Sequence, residues 1–244
     1  MNVLILAAGQ ADFNSHDGNY PLCLAELDGI PLIQRLIQAC SDIGEANFIV
    51  ALRKQDIRTY HLDNIVTLLT PDAKIVSVTD GTRGAACTAI LATGYIDNAE
   101  ELLVLNGNEI LDVEFSNIVR DFRGRQLDAG VVTFSSVHPR YSYVRLNSEN
   151  LVVEAAEKNP ISRHATVGFY WFARGKDFVR SVQNMIRKDA SVNDRFYISP
   201  ALNEMVLEHA CIGVFTIEAN KYHPLKTERQ LMQFEATIDH RNSV

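Results

Sequence analysis

Chemistry in this chain has to come from a few polar positions set among small residues. The apolar run at residues 3–6 breaks into Ala7-Ala8-Gly9-Gln10. Such a small-residue turn at a strand end lets backbone N–H groups come close to a phosphate. Gly84 and Ala85, after Arg83, open a second small-residue stretch with room for a base to approach the backbone. Asp112 and Glu114 form an Asp-x-Glu of the type that binds metal, although Asp112 also fits a helix N-cap and Glu114 a first helical turn, where acids are favoured. Asp12, His16 and Asp17 share one polar loop and have the types for a metal or acid–base group, against the simpler reading of a solvated loop. His164, His223 and His240 have no partners at ligand spacing, His138 precedes Pro139 in what reads as a loop, and Tyr170, Trp171 and Phe172 read as an aromatic core strand.

Positioning these residues takes an α/β framework. Residues 3–6, 47–52, 74–78 and 102–105 are short apolar runs that read as buried strands, with a fifth at 129–135. Helices are expected at about 31–40, where Ile33, Leu36, Ile37 and Cys40 share a face, and at 56–69, 85–92 and 115–126. Residues 24–27 read as a further short strand and Asp28-Gly29 as a turn. The alternation predicts a mainly parallel, Rossmann-like sheet sandwiched by helices. Ligands then sit over the carboxyl ends of the strands, in the loops after Leu6, Val78 and Leu105. From residue 143 the runs shorten. Residues 143–158 read as a hairpin turning at 147–150, 165–172 as a strand, and 176–188 as a helix. A second helix opens at Ser199-Pro200 and runs through Glu208, followed by a late strand at 213–217. This half is expected as an accessory β-hairpin and helix layer closing over the first, in a single domain spanning 1–244.

A chain of 244 residues that is 47% hydrophobic and 22% charged can bury a large core. Its formal net charge of −7 argues against a general nucleic-acid or anionic-membrane binder, and leaves a small phosphorylated ligand held by local donors. No apolar run approaches the roughly 20 residues that span a bilayer, and no basic segment precedes a long apolar one, so neither membrane insertion nor a secretion signal is expected. Cys23, Cys40, Cys87 and Cys211 form no CxxC or Cys/His cluster, which favours reduced thiols in the cytoplasm.

Several stretches fall into one ordered pattern. Leu6-Ala7-Ala8-Gly9, Pro21-Leu22-Cys23-Leu24 and Asp28-Gly29-Ile30-Pro31-Leu32-Ile33 follow LAAGxGxRF, PKPL and DGKPxI. Farther on come Gly84-Ala85-Ala86-Cys87-Thr88-Ala89, Asn106-Gly107-Asn108 in place of an Asn-x-Asp turn, and Glu157-Lys158 as an EK motif. Gly168-Phe169-Tyr170, then Asn193-Asp194-Arg195-Phe196-Tyr197 before Pro200 and Asn203-Glu204, complete the series. The chain therefore resembles the sugar-phosphate nucleotidyltransferases, in their bacterial surface-polysaccharide type, over most of its length.

That resemblance implies a GT-A type fold and a division of labour. Residues 1–135 form the nucleotide-binding half, with Leu6, Ala7, Ala8, Gly9, Gln10, Arg83, Gly84, Ala85 and Asn106 at the nucleotide. Residues 136–244 form the acceptor side, and Asn108, Glu157, Lys158 and Gly168 face the substrate. The implied partners are a nucleoside triphosphate or nucleotide sugar and a sugar phosphate or similar small phosphate, with no nucleic acid or membrane; a homo-oligomer is compatible with it. Mg²⁺ is the implied cofactor if the protein is active. Three parts of the family pattern are altered: the first loop reads Gln10-Ala11-Asp12-Phe13 without its Arg, Leu22 stands for the PKPL lysine, and Asn108 stands for the metal-binding aspartate. An amide brings no charge to Mg²⁺, and loss of one donor to a developing charge costs on the order of 10²- to 10³-fold in rate. The expected protein is a nucleotidyltransferase-like one of weak or absent activity, a pseudoenzyme candidate. The alternatives are a non-catalytic nucleotide- or sugar-binding or regulatory partner of an active relative, and a GT-A glycosyltransferase, which the lack of an Asp-x-Asp near Leu105 disfavours.

Overall fold

The structure, a computed structural model, describes residues 1–9, 20–79 and 81–242, the last five by backbone alone. Strand β1 (Asn2–Leu6) is buried along its whole length, because strands flank it on both sides and helices cover both faces. Residues expected as a strand at 24–27 divide in two. Leu22–Leu24 form a 3-10 turn whose three side chains are buried, with the Leu24 and Ala25 N–H groups donating back to Pro21 and Leu22. Then β2 (Glu26–Leu27) pairs with β3 (Ile30–Pro31) across Asp28 and Gly29, both at positive φ. Helix α1 (Leu32–Ala39) buries Ile33, Leu36 and Ile37, the expected face.

Strand β4 (Asn47–Arg53) leads not into one helix but into two, α2 (Lys54–Tyr60) and α3 (Leu62–Leu69). The break is His61, left-handed at φ 53° and ψ 43°, a conformation that ends a helical ladder. After β5 (Lys74–Val78), the small-residue helix is α4 (Ala85–Ile90), with a single further turn, α5 (Thr93–Ile96). Strands β6 (Leu102–Asn106) and β7 (Glu109–Leu111) enclose the Gly107-Asn108 turn, and α6 (Phe115–Gly124) and β8 (Ala129–Ser135) complete this half. Asp112 is not the N-cap of α6; that position is Glu114, while Asp112 meets Lys221 Nζ at 3.4 Å.

In the second half β9 (Ser142–Leu146) and β10 (Val152–Glu157) form the predicted hairpin. Its turn is held by Asn147 Oδ1, which accepts from the Glu149 and Leu151 N–H groups at 2.9 Å. Strand β11 (His164–Phe172), helices α7 (Gly175–Arg187) and α8 (Ile198–Leu207) and strand β12 (Ile212–Ile217) also match the sequence pattern. Two later elements have no counterpart in it: β13 (Tyr222–Pro224), which pairs antiparallel with β7, and α9 (Glu228–Asn242).

The main sheet runs β10-β9-β11-β6-β1-β4-β5, with β8 also on β11 and β12 on β8. Its β5-β4-β1-β6 portion is parallel, as is β12 against β8, while β11 is antiparallel to β6, β8 and β9. Alternate residues of β1 feed two cores, Val3 and Ile5 with Leu36 and Phe122 on one face, Leu4 and Leu6 with Ala89, Phe178 and Val182 on the other. The chain passes from β1 outward to β4 and β5, then returns to β6 on the other side of β1. The crevice of such a sheet therefore opens beyond the carboxyl ends of β1 and β6.

Candidate functional site

At that crevice the turn after β6 lies directly on the turn after β1. The Gly107 N–H donates to the Leu6 carbonyl at 3.0 Å, and a Cβ at Gly107 would stand 2.7 Å from Leu6 O and 2.8 Å from Ala7 Cα. Ala7 is tied on its other side to the Ala51 carbonyl at 3.0 Å. Ala7 and Ala8 are half-buried and Gly9 is exposed with open space over it, so this rim stays low. Gln10, Asp12, His16, Asp17 and Asp80 lie outside the described residues.

The second small-residue stretch is shaped by protein contacts. Gly84, at φ 107°, lies against the backbone of Phe196. Phe196 N–H donates to the Arg83 carbonyl at 2.7 Å, and Ala86 N–H donates to the Phe196 carbonyl at 3.0 Å. The Arg83 guanidinium covers the Phe196 ring at 5.0 Å and donates to the Asp194 carbonyl at 3.3 Å. Arg83 and Gly84 therefore clasp the segment before α8, and Ala85 begins α4 beside them.

Asn106, Glu109 and Gly168 meet at one point on β11. A Cβ at Gly168 would overlap both Glu109 Oε1 and the Asn106 amide, so the missing side chain leaves the space that these two occupy. Glu109 is 5% exposed, and its Oε1 has no hydrogen-bond partner among the described residues; the same holds for Asn108 Oδ1. Burial, and after it the Glu109 carboxylate, holds the Tyr222 phenol well above its ordinary value. Glu109 is not among the candidates above; its position directly after the Asn-x-Asn turn is the signal that points to it.

On the acceptor side, Glu157 accepts a hydrogen bond from Ser142 Oγ at the end of β10. Lys158, in a left-handed conformation, reaches Tyr197 Oη at 2.9 Å, with its ammonium 5.0 Å from the ring centroid. Burial pushes the Glu157 carboxyl above its ordinary 4.5, against the Ser142 hydrogen bond and the charges of Lys158 and Lys226. The folded state thus holds this proton more tightly than the unfolded chain. The stability it contributes is full below pH 4.5 and is lost as pH rises through the raised folded value. Glu157→Gln is expected to remove this loss, so that variant stability measured by denaturant unfolding gains on the wild type as pH rises from about 4 to about 7. A constant difference across that range would contradict the assignment.

The remaining candidates are structural. Leu22 is 8% exposed and packs in the core with Leu24, Leu27 and Leu36. Tyr170, Trp171 and Phe172 are buried, the last two against Phe122 and Phe178 at 5.8 and 4.8 Å between ring centroids. His223 stacks on Phe234 at 4.6 Å. Cys23 and Cys40 are free thiols pushed up to about 12 by burial. Among the described residues no three His, Cys, Asp or Glu side chains gather as metal ligands. Mg²⁺ is ordinarily held through one or two carboxylates together with substrate phosphates. The β6 turn offers the neutral Asn108 amide, and its neighbouring acid Glu109 is folded onto Gly168, so the described residues at this turn do not by themselves fit a resident Mg²⁺.

The family model for nucleotidyl transferases matches residues 19–208. The bifunctional protein GlmU of Methanococcus aeolicus is 23% identical over 221 residues, covering 88% of this chain and 49% of that protein. The chain thus spans about half the length of this curated relative. Among solved structures, the nucleoside-diphosphate-sugar pyrophosphorylase of Vibrio cholerae RC9 superposes with a TM-score of 0.82 at 20% identity, over 97% of this chain and all of that one. A UDP-glucose pyrophosphorylase complexed with UDP-glucose gives 0.77 at 14% identity, over 98% of both chains. The inositol-1-phosphate CTP transferase of T. maritima gives 0.76 at 14%, over 97% of this chain and 95% of that one. At these identities the structural likeness establishes the α/β fold.

Proposed function

Since the chain belongs to the nucleotidyl transferase family, we propose that its cleft binds a nucleotide and a small phosphorylated acceptor, and transfers the nucleotidyl group slowly or not at all. Residues 1–135 take the nucleotide on the low rim of Ala7, Ala8 and Gly9 and beside Gly84 and Ala85; residues 136–244 bring Glu157 and Lys158 to the acceptor. The relatives named for nucleotide-sugar and inositol-phosphate substrates support a sugar phosphate or similar small phosphate as the acceptor, in surface-polysaccharide or phosphorylated-metabolite activation. Free thiols at Cys23 and Cys40 suit a reducing compartment, in keeping with a cytoplasmic protein. Among the described residues no helix is long and apolar enough to cross a membrane.

The observation that carries the low rate is Leu22. Transfer needs an acceptor oxygen to attack the α-phosphorus while pyrophosphate leaves, and charge develops on phosphate oxygens that fixed donors must meet. Leu22 instead supports the hydrophobic core at 8% exposure, and Asn108 adds no charge. Mixing each common NTP with Mg²⁺ and a panel of sugar 1-phosphates tests this by pyrophosphate release. Turnover is expected far below the ordinary range of about 1–10³ s⁻¹, and a value within that range overturns the reading. Nucleotide binding by calorimetry without turnover would make the chain a binding or regulatory partner.

A further inference from the structure

Lys226 is a cation that the fold delivers to the turn where the family pattern has its metal-binding aspartate. Strand β13 pairs with β7 in the register Tyr222 with Leu111, His223 with Ile110 and Pro224 with Glu109. One residue on, the Leu225 N–H donates to the Asn108 carbonyl at 2.8 Å, and the Leu225 side chain is fully buried. Continuing that register carries Lys226 past Asn108 to the level of Gly107.

Its backbone is fixed there by the start of α9. Both the Lys226 and the Thr227 N–H groups donate to Gln230 Oε1, at 2.9 and 3.1 Å, and the Gln230 N–H donates back to Thr227 Oγ1 at 3.3 Å. This is a capping box, Thr-x-x-Gln, in which two backbone donors at a helix start are satisfied reciprocally. The Lys226 side chain is exposed, and its charge is among those that act on the Glu157 carboxyl.

We propose that Lys226 is a phosphate-binding residue that supplies, at the β6 turn, the positive charge that a divalent cation would otherwise bring, so that the chain holds phosphate without Mg²⁺. The inference rests on the reading of this cleft as a nucleotide and small-phosphate site. An ammonium is a compact charge with three donors, suited to phosphate oxygens as a point charge. With Asn108 neutral, nothing at that residue competes for it as a carboxylate would. Lys158, held on Tyr197, directly follows Glu157 in the chain. The two lysines thus replace, from the second half of the chain, cations missing from the first.

Calorimetric titration of inorganic pyrophosphate into the whole chain tests this, in EDTA and in excess Mg²⁺, with Lys226→Met and Lys226→Arg measured alongside. Pyrophosphate is expected to bind in EDTA. Lys226→Met should weaken binding roughly 10- to 100-fold, the worth of a hydrogen bond to a charged group, and Lys226→Arg should retain most of the affinity. Pyrophosphate that fails to bind in EDTA, or that binds Lys226→Met as tightly as the wild type, overturns the assignment. A panel of NTPs in Mg²⁺ then separates the two levels. Where the pyrophosphate test fails, NTP binding leaves the proposed nucleotide site standing without Lys226; if no NTP binds either, both fall.

Discussion

Gly84→Ala is expected to lower the free energy of unfolding by about 2–5 kcal/mol, combining backbone strain and overpacking. Gly84 sits at φ 107° and ψ 176°, a region open essentially to glycine alone. An added Cβ would overlap the Phe196 carbonyl oxygen and lie 2.9 Å from its nitrogen. These are backbone atoms, so no side-chain rotation relieves the overlap. If the Phe196 backbone withdraws, it gives up its hydrogen bonds to Arg83 and Ala86 and carries the neighbouring Tyr197 away from Lys158. Denaturant unfolding measures the effect, and nucleotide titration should show weaker binding in the same variant. A loss below about 1 kcal/mol would mean that the segment before α8 yields freely, a small effect by the standard of point mutations.

Gly168→Ala has a different signature because the obstacle is a side chain. The added methyl overlaps Glu109 Oε1 and the Asn106 amide, so Glu109 must turn out of its pocket. A cost of about 1–3 kcal/mol is expected. The informative measurement is a double-mutant cycle with Glu109→Ala, which removes the main obstacle. Gly168→Ala should cost less in that background, with a coupling of about 0.5–3 kcal/mol. Strictly additive costs would show that Glu109 and Gly168 do not share the space assigned to them.

The parallel portion of the fold is legible because its strands are buried on both faces. Residues such as Leu4-Ile5-Leu6 and Leu103-Val104-Leu105 can be apolar without interruption, and that run survives in the sequence. Helix boundaries are less legible where one residue decides them: nothing in the 56–69 pattern marks His61 as left-handed. The site divides the same way. The rim at Ala7 and Gly9 and the Glu157-Lys158 pair are local motifs. Glu109 against Gly168, Arg83 against Phe196 and Leu225 on Asn108 depend on contacts between distant segments. The β7–β13 pair that delivers Lys226 is three residues long, too short to show a period of two. The capping box at Thr227 was the one local signal that an ordered element begins there.

Strand β11 also imposes an order in time on the making of this protein. It is the partner of β6, of β8 and of β9, and among the described residues β8 is otherwise joined only to the still later β12. While the chain leaves the ribosome, β1, β4, β5 and β6 can come together as soon as residue 106 is free. From then until residue 172 has emerged, β6 keeps one open edge and β8 has no strand beside it. Newly made chains carry that uncovered edge, a template for pairing with a neighbouring copy, for as long as the ribosome takes to add the intervening residues. Slow translation between β8 and β11 therefore lengthens the interval in which that edge stays uncovered.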